Sequence, residues 1–178
     1  MTAIRNILIL LISFCLISCG GGGGGSDPNE PATEPAFTNL VVQPTALDAG
    51  DKINITIYLQ EINKDGIVVK IRVPSSVLYF NDTGFLNVDG NQQNIDPEFY
   101  QSANNFNYLV YVLSRDQFGE SNEGTVTVQF QASAAVAAGA VAVDVDFKDT
   151  SLSNAEQFDI DNPRFSAQDT VDIVVTNS

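Results

Sequence analysis

The chain of 178 residues has no histidine, no tryptophan, one methionine and two cysteines, and it sets 8 Lys+Arg against 22 Asp+Glu. Each shortage removes a class of function. Without histidine there is no imidazole base, no His-containing triad and little zinc chemistry. A formal net charge of −14 opposes nucleic-acid binding, which draws its affinity from cations that neutralise phosphates. Without tryptophan the widest flat ring for stacking on a sugar is missing, which leaves tyrosine and phenylalanine. Both cysteines, Cys15 and Cys19, fall within the first 19 residues, so the rest of the chain holds neither a disulfide nor a thiol nucleophile. Only carboxylates, lysines and tyrosines remain for catalysis. The sequence therefore reads as a non-enzymatic protein with no organic cofactor.

Met1–Asn6 carries one cation, Arg5, and Ile7–Ile17 follows as an apolar run interrupted by Ser13 and Cys15. Crossing a bilayer takes about 20 apolar residues, so this run has the length of a signal-peptide hydrophobic region instead. It closes with Leu16-Ile17-Ser18-Cys19, which resembles the lipobox of bacterial lipoproteins. That resemblance implies cleavage after Ser18, diacylglycerol on the Cys19 thiol and an acyl chain on its new amine. Two or more chains anchor a protein stably where one does not. Gly20 after the cysteine is compatible, by the same resemblance, with outer-membrane sorting. The expected partner of the N-terminus is thus a membrane, with the domain at the cell surface or, alternatively, facing the periplasm.

Residues 20–25 are six consecutive glycines, followed by a Pro/Glu-containing stretch to Pro35. No Lys-Ser/Thr follows the glycines, so they do not form a phosphate-binding loop. They read as a tether with a reach of roughly 20–25 Å if coil-like. The organisation expected is a signal peptide over 1–18, a lipidated cysteine and tether over 19–36, and one folded domain over 37–178.

Within that domain the hydrophobic period is two. In Lys52–Glu61, Ile53, Ile55, Ile57 and Leu59 alternate with Asn54, Thr56 and Tyr58. Ile67–Val73, Thr125–Ala132 and Ala140–Phe147 alternate likewise, each the mark of a strand with one buried face. Lys70, Arg72, Asp144 and Asp146 fall on the outward parity. Asn63-Lys64-Asp65-Gly66 and the Asp89-Gly90 pair are turn signals. Further strands are expected at 38–42, 77–80, 85–88, 108–113 and 170–176, with a loop or single turn over 133–139. Seven to nine short strands without helical periods predict an all-β, antiparallel β-sandwich.

The segment Val73-Pro74-Ser75-Ser76-Val77-Leu78-Tyr79-Phe80 and the strand Gly124–Phe130, running through an Ala/Gly-rich turn into 140–147, resemble the immunoglobulin-like repeats of bacterial surface proteins and cohesin-type sandwich modules. The resemblance covers about residues 38–147. It implies a binding module for a protein or glycan partner at the cell surface; an accessory lipoprotein of an envelope assembly is the alternative. No partner-binding residues carry over.

Three constellations stand out. Asp144, Asp146 and Asp149, with Asp159 and Asp161 from the following loop, form a candidate calcium site, since calcium takes several hard oxygen ligands. The first reading of the same residues is a solvated acidic face that blocks edge pairing, with calcium second. Asn91–Asn107, a long polar stretch interleaved with Phe99, Tyr100 and Phe106, is a candidate binding loop together with Asp116–Asn122, because long loops in compact domains tend to carry function. Tyr58, on the polar parity of its strand, is a candidate exposed ring. A Lys-to-carboxylate amide, seen in some surface sandwiches, needs a buried lysine; Lys52, Lys64, Lys70 and Lys148 are all expected outside or in turns, which argues against one.

Overall fold

The computed structural model describes residues 36–133, 137–157 and 165–176. Their strands are β1 (Ala36–Gln43), β2 (Ala46–Asp48), β3 (Lys52–Gln60), β4 (Ile67–Pro74), β5 (Val77–Val88), β6 (Asn91–Asn94), β7 (Phe99–Ala103), β8 (Phe106–Leu113), β9 (Gly124–Ala132), β10 (Ala137–Phe147) and β11 (Asp169–Thr176). They build two sheets. The first has the order β1-β3-β9-β5-β6 and the second β2-β11-β10-β4-β8-β7. Neighbours pair antiparallel except β2 with β11, which run parallel. The β-sandwich expected from the alternation is the fold observed.

Period-two alternation explains the core. Ile53, Ile55, Ile57 and Leu59 of β3 and Val126, Val128, Phe130 and Ala132 of β9 point inward from the first sheet. Ile67, Val69, Ile71 and Val73 of β4, Leu109, Tyr111 and Leu113 of β8, and Val141, Val143 and Val145 of β10 meet them from the second. Each fully buried aliphatic side chain of this kind is worth about 1.5–3 kcal/mol. Asn107 is the polar member of this layer. Its Nδ2 donates to the Val77 carbonyl at 2.7 Å and its Oδ1 accepts from Ser102 Oγ at 2.6 Å, so the buried amide ties β8 to the opposite sheet.

The strand count corrects the expectation, with eleven strands among the described residues rather than seven to nine. The two segments read at 77–80 and 85–88 are one irregular strand, β5, whose register shifts between Tyr79 and Gly84. The polar stretch 91–107 is not a loop. It contributes β6, which pairs with β5, and β7, which forms a hairpin with β8 through Asn104 and Asn105, both at positive φ. Asparagine tolerates that conformation better than most residues, and paired positive φ is what a two-residue hairpin turn requires.

The larger correction concerns the outer face of the second sheet. Alternation assigns the even-numbered residues of β4 and β8 outward, and in β4 and β8 they do point away from the inter-sheet core. They are nevertheless covered. Val68, Tyr108 and Val110 form a second cluster with Phe99, Phe106, Val112 and Phe165. Phe165, from the chain between β10 and β11, meets Tyr108 edge-on at 5.8 Å between ring centres. The Arg72 guanidinium lies 4.7 Å from the Phe106 ring centre and 5.0 Å from that of Phe165. Tyr108 and Tyr111, on opposite faces of β8, are both buried.

Candidate functional site

Among the described residues, the outer face of the first sheet has no such cover. Cross-strand register builds it row by row. Asn39 of β1 pairs with Tyr58 of β3, Tyr58 with Thr125 of β9, Thr125 with Asn87 of β5, and Asn87 with Gln92 of β6. The next row is Val41, Thr56, Thr127, Phe85 and Asn94, and beyond it lie Gln43, Asn54 and Gln129. All these side chains are exposed or half-exposed. None is charged, in a chain with 22 acidic residues.

Hydrogen bonds between neighbours hold part of this surface in place. Gln129 Nε2 donates to Asn54 Oδ1 at 3.1 Å, and the Thr56 and Thr127 hydroxyls lie 3.4 Å apart. Tyr58, 41% exposed, stands second in the first row, between Asn39 and Thr125. It lies in a shallow cleft of about 450 Å³ with Asn39, Gln60, Asn87 and Thr125, rimmed by Asp89 and Glu123.

A second cleft of about 360 Å³ adjoins at Asp89, between the Asp89-Gly90 turn, β6 and the single 3₁₀ turn Arg115–Phe118. Asp89 and Gly90 both have positive φ, and Asn87 Oδ1 accepts from the Gly90 amide at 3.1 Å, so the turn read from the sequence is present. Gln93 Nε2 donates to the Gln117 carbonyl at 2.8 Å, which joins β6 to the 116–122 segment. These are the two candidate binding segments, brought together.

The three aromatics of the polar stretch do not share a surface. Phe99 and Phe106 are half-buried against the second cluster. Tyr100 is 44% exposed on the other side of β7.

Of the acidic candidates, Asp144 and Asp146 meet at Lys70. Asp144 is buried, and its Oδ2 accepts from Lys70 Nζ at 3.0 Å and from the Ser166 amide at 3.0 Å. Asp146 is 52% exposed and also accepts from Lys70 Nζ. Lys70 itself is 1% exposed, which overturns its placement among solvent-facing lysines. Desolvation pushes the Asp144 carboxyl above the ordinary aspartate range and Asp146 adds to the rise, while Lys70 and the Ser166 amide oppose it. An ammonium thus already stands between the two carboxylates. Asp149 Oδ1 accepts from the Ser151 amide and hydroxyl at 2.9 and 2.6 Å. Asp159, Asp161 and Cys19 lie outside the described residues. Among the described residues no group of three or more Cys, Asp or Glu side chains converges as a metal site.

Alternation singled out Tyr58, but not Asn39, Thr125, Asn87 and Gln92 as its row-mates. Their outward parity was readable. Their alignment depends on pairing between strands distant in sequence.

No protein-family model and no curated protein sequence matches the chain. Solved structures similar to it include the N-terminal domain of the Streptococcus gordonii adhesin Sgo0707, at 9% identity and a TM-score of 0.46, covering 83% of this chain and 33% of that one. The T6 backbone pilin of Streptococcus pyogenes gives 13% identity and a TM-score of 0.48, covering 79% of this chain and 36% of the pilin. A non-cellulosomal cohesin from Archaeoglobus fulgidus gives 16% identity and a TM-score of 0.36, covering 80% of this chain and 93% of the cohesin. The chain spans only about a third of the length of the adhesin and pilin structures. These are partial likenesses, and nothing about ligand or activity passes through them.

Proposed function

We propose that the chain is a non-enzymatic binding module of the bacterial cell envelope, anchored by lipid on Cys19, whose first-sheet face takes up a neutral, hydroxyl-rich ligand of the glycan class. The observation that carries this reading is the row Asn39–Tyr58–Thr125–Asn87–Gln92, uncharged and open. Asn and Gln each offer a donor and an acceptor on one group, and threonine does so through its hydroxyl. That matches sugar hydroxyls, which also do both. The exposed Tyr58 ring supplies an apolar plane against which a sugar's C–H face can pack. An anionic polymer would meet Asp89 and Glu123 at the rim and the negative field of the whole chain. The tether over 19–36 would give the face freedom to meet ligands at varied angles.

The test is retention of the soluble chain on a panel of immobilised neutral and acidic polysaccharides. Retention is expected on one or more neutral polymers and on none of the acidic ones. Tyr58→Ala should reduce it at least tenfold, and Tyr100→Ala should leave it unchanged. Equal retention of wild type and Tyr58→Ala, or retention confined to acidic polymers, would refute this reading.

A further inference from the structure

Lys70 occupies an unusual place for a lysine. It sits on the outer face of β4, directly opposite Asp144 of β10 and Val110 of β8. Val68, Val110, Tyr108 and the phenylalanines of the second cluster cover that face. The Lys70 ammonium and the Asp144 carboxylate, 1% and 3% exposed, lie 3.0 Å apart, N to O. One C–O bond further places Asp144 Cγ within about 4.2 Å of Nζ. Asp146, two residues along β10 and half in solvent, receives a hydrogen bond from the same Nζ. An amine, an acyl carbon and a second carboxylate are thus held together in a largely dry cluster.

We propose that Lys70 and Asp144 condense spontaneously into a side-chain amide that joins β4 to β10, with Asp146 carrying the proton. The balance is closed. Within the buried pair, the ammonium gives a proton to the Asp144 carboxylate, leaving an amine and a carboxylic acid. The Nζ lone pair forms the N–C bond at Asp144 Cγ. Asp146 takes a proton from the nitrogen and returns it to the Asp144 oxygen that departs. The C–O bond breaks, one water leaves and Asp146 is regenerated. No oxidant, cofactor or enzyme enters.

Three features favour the step. Holding the reacting atoms in near-contact replaces a bimolecular encounter with an intramolecular one. Burial raises the Asp144 carboxyl toward its neutral form, and only a neutral carboxylic acid is a competent acyl group. The product removes two charges from a site where each is costly to desolvate. Asp144 is assigned as the acyl partner and Asp146 as the proton carrier because Asp146 is the wetter of the two. The bond would join residues 74 positions apart in a chain with no disulfide over its folded part.

The experiment is the intact mass of the purified chain in denaturant. The expected mass is lower than the sequence mass of the same processed form by one water. Digestion should yield a branched peptide joining residues 70 and 144. Lys70→Arg, which keeps a cation but has no lysine amine, should restore the full mass, and Asp146→Asn should give a mixture of closed and open chains. A wild-type chain at full sequence mass would overturn the proposal. So would a loss of water that persists in Lys70→Arg, because cyclisation at Asp65-Gly66 or Asp89-Gly90 also expels one water. The mass reading needs no assumption about whether the variants fold.

Discussion

Val41 and Val110 test the asymmetry of the sandwich with identical chemistry. Both are valines on outward parity, and alternation alone would expect truncation to cost the same at each. Val110 is fully buried on the second sheet beneath the Phe165-containing cluster. Val41 is half-exposed on the bare face of the first. Val→Ala removes two methyl groups. At about 0.8 kcal/mol for each buried carbon the transfer loss at Val110 is ~1.6 kcal/mol. A residual cavity among packed neighbours brings the total to about 2–2.5 kcal/mol. At Val41 part of the side chain is already in water and no closed cavity forms, so the loss should stay at about 1 kcal/mol. The assay is equilibrium urea unfolding of both variants and wild type, read as midpoint shifts at unchanged m-value. In a thermal melt the Val110 variant should fall by roughly 4–10 °C, at 2–4 °C per kcal/mol. If Val110→Ala costs no more than Val41→Ala, the outer face of the second sheet is not a core and the burial of Lys70 loses its basis.

Gly66→Ala should be the severest of the single-methyl additions. Its φ is +99° and a Cβ there would come within 2.1 Å of the Leu113 carbonyl, a backbone atom. Left-handed strain plus a forced backbone shift should cost at least ~3 kcal/mol, against about 1 kcal/mol for Gly90→Ala, where φ is also positive but the space is open; urea melts of the two variants check this. Lys70→Met should show its own pH dependence. Without the Lys70 amine, Asp144 stays a free carboxyl that neither an amide nor an ammonium neutralises, so desolvation and Asp146 raise it against the Ser166 amide alone. A carboxyl raised above its unfolded value of about 3.9 is most favourable to folding below that value and loses this contribution as pH climbs through the folded value. The stability gap between wild type and Lys70→Met should therefore widen from pH 4 to pH 7; a constant gap in denaturation free energy at the two pH values would contradict it. Cys19→Ala should move the chain from the detergent-soluble membrane fraction to the soluble fraction and abolish labelling by a fatty-acid analogue, and continued labelling would remove Cys19 as the anchor.

Much of the sandwich was legible because its signal is local. A strand with one buried face alternates, and β3, β4, β9 and β10 do so without exception at their inward positions. What stayed hidden depends on distant parts of the chain. Lys70 looks like any outward lysine within Ile67–Val73, and only pairing with β10 and coverage by Phe165 show it to be buried. Asp144 and Asp146 were readable as a pair on one strand face, but the cation between them comes from 74 residues away. Polar short strands such as Asn91–Asn94 carry no hydrophobic period at all; they exist because an edge of β5 needed partners for its backbone groups. The uncharged row through Tyr58 was visible one residue at a time and became a surface only through register.

The most direct measurement is backbone amide chemical-shift mapping of the isotope-labelled soluble chain, with Cys19→Ser, titrated with a mixture of neutral oligosaccharides. The expected result is a set of shifts centred on Asn39, Tyr58, Thr125, Asn87 and Gln92 and fading toward β7. Shifts centred on Tyr100 and the β7 edge, or none at millimolar sugar, would contradict the assignment of the first-sheet face as the binding surface.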